Sequence, residues 1–152
     1  MKIEFIGSVG IITRSPVDGP RLFTEGLGLP LERAEGSAFL FTDKMPGSKY
    51  FGVWPLSEAA KACFGSESWP ADRPIPQVFF EFEVSSRRKV AEAASELASK
   101  GYAVLHPPRT DPWGQTVMRL QTDDGVIVGI SYVPWMHQRS QRRTKKVRRS
   151  RR

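Results

Sequence analysis

The chain has 152 residues, long enough for one domain with a substantial core, and its 39% hydrophobic content is typical of a globular protein. No segment approaches the ~20 consecutive apolar residues of a membrane span, the start of the chain lacks the zones of a signal peptide, and the single cysteine excludes an intrachain disulfide. These features predict a cytoplasmic protein without membrane contact.

The net charge of +7 is concentrated at the end of the chain. Nine of the 23 basic residues follow residue 138 with no acidic residue among them, so 14 basic and 16 acidic residues precede them. Because such a segment has no periodic apolar residues, residues 138–152 are predicted to form a disordered basic tail. Two interpretations remain open: nonspecific contact with nucleic acid or anionic surfaces, or a solubilising extension.

The first half of the chain begins with a β-rich run and contains one short helical segment before Gly26 and Gly28, which are suited to ending it. The predicted order is a strand over 3–13, a helix over 21–25, and strands near 31–35, 37–42 and 50–54. A further short helix over 57–64 is predicted in the connection that runs from 56 to 76.

The second half repeats this order. A strand over 78–84 leads to a helix that begins after Ser85 or Ser86 and ends at Gly101. Val90, Ala94 and Leu97 give that helix one apolar stripe. Strands are predicted near 103–105, 116–120 and 126–132. The sequence therefore predicts an α+β domain over residues 1–137, built from two βαβββ modules at about 3–55 and 77–134.

Several short motifs occur in a distinctive order. They are Phe23-x-x-Gly26-Leu27-Gly28-Leu29, a strand and helix ending at Lys100-Gly101-Tyr102, Pro112-Trp113-Gly114-Gln115, and Asp123-Asp124-Gly125. Over roughly residues 3–134 this order resembles the vicinal oxygen chelate superfamily of glyoxalases, bleomycin resistance proteins and extradiol dioxygenases. The resemblance implies a cupped mixed β-sheet with helices on its outer face, and a homodimer.

The resemblance also implies three metal-ligand positions. Two usually carry histidine and the third glutamate, but here they match Ser8, Gln77 and Gly129. Since a hydroxyl, an amide and a hydrogen are poor ligands for divalent transition metals, no metal and no other cofactor is expected. His106 and His137 are interpreted as loop or surface residues, without a partner at metal-site spacing.

Strand alternation predicts which side chains line the cup. The apolar set Val78, Phe80, Phe82 and Val84 should face the helix, which directs Phe79 and Glu81 to the other face. Glu81 is a candidate general base or receptor for a cationic group, or forms a salt bridge with Arg119. Glu83, near the strand end, is expected to be solvated. Cys63 is interpreted as a small core residue, not a nucleophile.

Tryptophans provide large apolar area with one polar N–H. For Trp54 and Trp113, ligand contact and pure packing both remain open. No catalytic residue is assigned. The predicted ligand-binding residues are Trp54, Phe79, Glu81, Trp113, Gln115 and Arg119.

These features favour a protein that binds a small organic molecule in the cup without a catalytic metal, as the resemblance to the bleomycin resistance branch implies. One alternative is a lyase, isomerase or dioxygenase of the same superfamily, with displaced metal ligands or with Glu81 as a base. A second alternative is a nucleic-acid-associated protein that acts through its basic tail.

Overall fold

The structure, a computed structural model, describes residues 1–138; residues 139–152, and with them almost all of the predicted basic tail, lie outside the described residues. The described chain forms eight strands and two main helices. They are β1 Phe5–Thr13, β2 Glu32–Arg33, β3 Leu40–Thr42, β4 Phe51–Pro55, α1 Leu56–Phe64, β5 Val78–Glu83, α2 Arg87–Ser99, β6 His106–Thr110, β7 Thr116–Gln121 and β8 Ile127–Tyr132.

All eight strands belong to one mixed sheet with the order β2-β3-β4-β1-β5-β8-β7-β6. The central pair, β1 and β5, is antiparallel, whereas β1 pairs with β4 and β5 pairs with β8 in parallel. Strands β1 to β4 therefore form one half of the sheet and β5 to β8 the other. This confirms the predicted α+β fold class.

Helix α2 forms as predicted. The Ser86 side chain accepts a hydrogen bond from the backbone N–H of Lys89, and Gly101 follows the helix with φ of +86°. The buried Val90 and Ala93 pack with Val84 of the strand end and with residues of β7 and β8. We call the face of the sheet that carries Phe79 and Glu81 the cup face. Helix α2 thus covers the opposite face.

Helix α1 lies on the cup face. Its buried Ala59 and Cys63 pack with Phe79 and Ile127, so the prediction of Cys63 as a core residue is confirmed. Arg109 of β6 fixes the end of the helix by donating to the carbonyl of Ala62 over 2.6 Å. Helix α1 therefore covers the Phe79 end of the cup face.

Two predicted elements differ from the structure. The helix predicted at 21–25 is a single wide turn, Leu22–Gly26, in which the N–H of Leu27 donates to the carbonyl of Leu22. The strand predicted at 103–105 is wrong, since β6 begins at His106 and includes Pro107 and Pro108. Strand β6 is at the edge of the sheet, where prolines are tolerated because one side of the strand needs no partner.

None of the helices within residues 1–138 combines the length and apolar character needed to cross a membrane.

Candidate functional site

A row of five residues crosses the cup face at one level of the sheet. Register pairs Ser8 with Glu81, Glu81 with Gly129, Gly129 with Arg119, and Arg119 with His106. Since laterally paired residues of a sheet point to the same side, their side chains share the cup face. We call these five residues the central row.

Glu81 and Arg119 form a buried ion pair in the central row. One carboxylate oxygen of Glu81 accepts from Nη2 of Arg119 over 2.9 Å, and the other accepts from the Gln115 amide over 2.8 Å. Both charged side chains are at most 9% exposed. The salt-bridge interpretation of Glu81 is therefore confirmed.

Gly129 provides the space for this pair. A Cβ at position 129 would stand 2.9 Å from Cγ of Glu81, closer than carbon atoms pack. The other two cup-facing residues of β5 also lie against glycines. A Cβ on Gly10 would stand 2.6 Å from the ring of Phe79, and a Cβ on Gly7 would stand 2.7 Å from Cγ of Glu83.

The central row does not fit a divalent metal. It offers one hydroxyl, one carboxylate that is already paired, no side chain at Gly129, and one imidazole, His106, whose Nε2 lies 3.5 Å from Nη1 of Arg119. The fixed positive charge of Arg119 would repel a cation from these groups. Gln77 lies outside the row, because it precedes β5 and its carbonyl accepts from Ile12. Gln77, to which the resemblance carried the second ligand position, is therefore not in register with Ser8, and Glu81 stands opposite Ser8 instead. Among residues 1–138, no three His, Cys, Asp or Glu side chains are grouped to hold a metal ion.

Glu83 is fully buried, so the prediction that it is solvated is wrong. Its carboxylate accepts from the Ser131 hydroxyl over 2.6 Å and from the Val133 N–H over 2.7 Å, and lies 2.9 Å from Nε2 of His137. The cause is the helical turn at 134–138, which returns over the end of β5. Gln115 also donates to Ser131 over 3.1 Å, which joins Glu83 to the Glu81 pair.

The two histidines are not surface residues as interpreted from sequence. His137 is half-buried, and its ring lies tilted against the rings of Phe5 and Tyr132, with centroids 5.0 and 4.9 Å away. His106 is buried in β6, with Nε2 3.5 Å from Nη1 of Arg119. Burial lowers the pKa of His106 to about 4, and the positive charge of Arg119 acts in the same direction. His106 is therefore neutral near pH 7, and its ring can accept a hydrogen bond.

Four half-buried aromatic side chains line the cup face in the first half of the sheet: Phe39, Phe41, Tyr50 and Trp54. Ring centroids are 5.1 Å apart for Phe41 and Tyr50 and 6.4 Å apart for Phe39 and Trp54. We call this set the aromatic wall. Burial raises the pKa of Tyr50, as does the charge of Glu81, so its phenol stays protonated.

Sequence reasoning identified only Trp54 of the aromatic wall. The signal for the others was the period of two in Phe39-Leu40-Phe41 and in Tyr50-Phe51-Gly52-Val53-Trp54, the same alternation that placed Phe79 and Glu81. The sequence alone did not show how closely the segment that begins at Phe39 approaches β4. Gly52 lets the ring of Phe39 lie across β4, since a Cβ there would be 2.5 Å from that ring.

The six predicted ligand-binding residues form one continuous series of contacts. At the buried end, the ring centroids of Phe79 and Trp54 are 5.4 Å apart, and the Trp54 ring lies 5.1 Å from the Arg119 guanidinium. Arg119 donates to Glu81, and Glu81 accepts from Gln115. At the rim, Gln115 accepts from the Trp113 indole over 3.0 Å. Trp113 is 68% exposed, whereas Arg119 is 3% exposed. The series therefore runs from an exposed side chain at the edge of the cup face to buried side chains at its centre.

Comparison with known proteins gives the class of this chain. The family model for the Glyoxalase/Bleomycin resistance protein/Dioxygenase superfamily matches residues 6–130, and the chain belongs to this superfamily. The predicted resemblance is thereby confirmed. No curated protein matches the sequence.

Solved structures share the fold at low sequence identity. One is a Legionella pneumophila protein described as an NAD-dependent benzaldehyde dehydrogenase, with a TM-score of 0.57 and 15% identity over 83% of this chain and 97% of that chain. Another is Streptomyces coelicolor methylmalonyl-CoA epimerase, with a TM-score of 0.52 and 19% identity over 88% of this chain and 99% of that one. A superfamily member from Vibrio splendidus has a TM-score of 0.52 and 13% identity over 87% of this chain and the whole of that chain.

Proposed function

We propose that the protein binds a small organic molecule on the cup face, without a catalytic metal. The single observation that carries this proposal is the contact series from Trp113 to Phe79, which joins an exposed rim to a buried floor. A site that combines large aromatic area with a few placed polar groups is typical of small-molecule binding.

The two sides of the cup face differ in chemistry. The aromatic wall supplies apolar area in the first half of the sheet, and the Glu81–Arg119 pair with Gln115 supplies polar groups in the second half. A planar molecule with one polar end would satisfy both sides. The ligand would lie along the aromatic wall with its polar end toward the central row.

The state of Glu81 favours binding over catalysis by this residue. Each of its oxygens already accepts a hydrogen bond, from Arg119 and from Gln115. To abstract a proton, Glu81 would first have to release a buried, charge-assisted contact, which is among the stronger hydrogen bonds in proteins. A sequestering role requires no such rearrangement.

The metal-free part of the proposal is tested by elemental analysis of gently purified protein. We expect well below one transition metal per chain, because the central row lacks a fitting donor set. One tightly bound zinc, iron, manganese or nickel ion per chain would favour the alternative of a metal-dependent enzyme. Light scattering on the same sample tests the homodimer that the family implies.

The binding part is tested by a screen of aromatic compounds, followed by two variants. Trp113→Ala and Glu81→Gln should each weaken binding of any compound found. Tyr102→Ala is the matched control, because Tyr102 is an aromatic residue, 59% exposed, that follows α2, the helix on the opposite face of the sheet. If both site variants, shown to be folded, bind as tightly as the parent, the ligand site is elsewhere.

A further inference from the structure

We infer that Arg119 receives the polar end of the ligand through its Nε–H group, and that the ligand class is an uncharged aromatic carbonyl compound. This inference rests on the proposed binding function and specifies its chemistry.

Of the three guanidinium nitrogens of Arg119, Nε is the one without a hydrogen-bond partner within residues 1–138. Nη2 donates to Glu81 and Nη1 faces Nε2 of His106. The Nε atom is buried, yet its N–H makes no hydrogen bond with any of residues 1–138. Buried donors are almost always paired, because an unpaired one loses its hydration without replacement. An oxygen atom of a ligand would supply the missing acceptor.

The surroundings of Arg119 select the rest of the ligand. Its guanidinium carbon is 5.1 Å from the centre of the Trp54 ring, and Trp54 belongs to the aromatic wall. An acceptor at Nε would therefore be attached to a group that lies beside this wall. A planar ring that bears the oxygen fits that position, since aromatic rings gain contact area and favourable geometry against other rings.

The charges of the cup face select an uncharged acceptor. Arg119 is the one cation of the central row and is already paired with Glu81, while Glu83 places a second buried carboxylate on the same face of β5. A carboxylate ligand would be repelled by both glutamates, and a cationic ammonium or guanidinium group has no lone pair with which to accept a hydrogen bond from Nε–H. A carbonyl oxygen accepts the hydrogen bond and brings no net charge into the site.

The experiment compares three probes of similar shape on the full-length protein by equilibrium dialysis. They are 2-acetonaphthone, which is a ketone, 2-ethylnaphthalene, which lacks the oxygen, and 2-naphthoate, which is an anion. We expect the ketone to bind about tenfold more tightly than either of the others, the difference typical of one buried hydrogen bond.

The variant that tests Arg119 directly is Arg119→Lys, which keeps the positive charge and removes Nε. Its preference for the ketone over the hydrocarbon should disappear while hydrocarbon binding persists. Arg109→Lys is the matched control, because Arg109 lies on the neighbouring strand and donates to Ala62. It should keep the preference. A folded Arg119→Lys protein with the parental preference would overturn the inference.

The outcomes separate the two proposals. Equal affinity for ketone and hydrocarbon in the unaltered protein overturns the role of Arg119 and leaves small-molecule binding in place, whether or not the lysine variant folds. Binding of 2-naphthoate as tight as that of the ketone overturns the charge argument. Binding of none of the three probes counts against both the inference and the proposed function.

Discussion

The side chain of Glu81 lies across the backbone of Gly129, with its Cγ 2.9 Å from the point where a Cβ of residue 129 would stand. The resemblance to the superfamily implies a metal-binding glutamate at position 129. Here the neighbouring strand supplies a carboxylate to the same place, and its partner is Arg119 instead of a metal ion. The glycine and the ion pair are therefore coupled features of one site.

Gly129→Ala is expected to destabilise the protein by about 1–3 kcal/mol, because the added methyl group would displace the buried Glu81 side chain. The free energy of unfolding from urea titration measures this effect. Gly26→Ala is the control, since its Cβ would meet only the flexible end of Leu22, at 3.3 Å.

The double variant Gly129→Ala with Glu81→Ala locates the cause. If the methyl group acts through Glu81, the two changes together should cost less than the sum of the single changes. Additive costs, or a Gly129→Ala effect no larger than that of Gly26→Ala, would contradict the proposed coupling.

Arg119→Met is expected to cost about 3–5 kcal/mol of stability, because it leaves the buried carboxylate of Glu81 without its cation. Adding Glu81→Gln to this variant should restore part of the loss, since the uncompensated charge is removed. Arg88→Met serves as the control; Arg88 pairs with Glu92 on the exposed face of α2, and stability should hardly change. A double variant less stable than Arg119→Met would contradict this account.

The elements of the site that sequence could predict are those set by local periodicity. The alternation in β5 placed Phe79 and Glu81 on the cup face, and the cap at Ser86 located α2. The burial of Glu83 could not be predicted, because it depends on residues 133–138, about 50 positions later in the chain. His106 was missed for a similar reason: two prolines follow it, and their tolerance depends on β6 being an edge strand.

The surroundings of Gly129 are a second feature that local sequence patterns could not predict. The sequence shows that residue 129 offers no ligand atom, and from this the absence of a metal was expected. The register between β5, β7 and β8 determines which side chain fills the space beside Gly129. That register aligns Glu81 with Arg119 across Gly129, and no local pattern in the sequence encodes it.

Stability is expected to fall as the pH is lowered from about 6.5 to about 4, in part through His106. Burial lowers the pKa of His106 in the folded protein to about 4 from an ordinary value of 6.5. Between these values the unfolded chain binds the proton and the folded protein does not, so acid favours unfolding. The contribution is fully present above pH 6.5; since one pKa unit corresponds to about 1.4 kcal/mol, its upper bound is about 3 kcal/mol, and screening by solvent reduces it.

Urea titrations of the parent and of His106→Gln at several pH values measure this contribution. Glutamine keeps an acceptor near Arg119 but does not titrate, so the variant should lose less stability than the parent over the same interval. Parallel curves for the two proteins would show that His106 does not contribute to the pH dependence.

The basic tail is expected to act independently of the folded domain. Truncation after Gln138 removes nine basic residues and no acidic one, and should leave the melting temperature within about 2 °C of the parent, a shift well below that of losing one core contact. The same truncation should abolish most binding to heparin or duplex DNA, because that binding depends on the number of positive charges. Both quantities are measured at a fixed, low salt concentration.

Truncation after Tyr132 is the informative comparison, because it also removes the helical turn at 134–138. Glu83 would lose two of its three contacts, with the Val133 N–H and with His137, and its buried charge would become accessible or unpaired. We therefore expect this shorter protein to melt many degrees lower, whereas the protein that ends at Gln138 does not. If both truncations lower the melting temperature equally, residues 139–152 contribute to the stability of the fold, and the independence of the tail is wrong. If neither does, the burial of Glu83 by residues 133–138 has no role in stability.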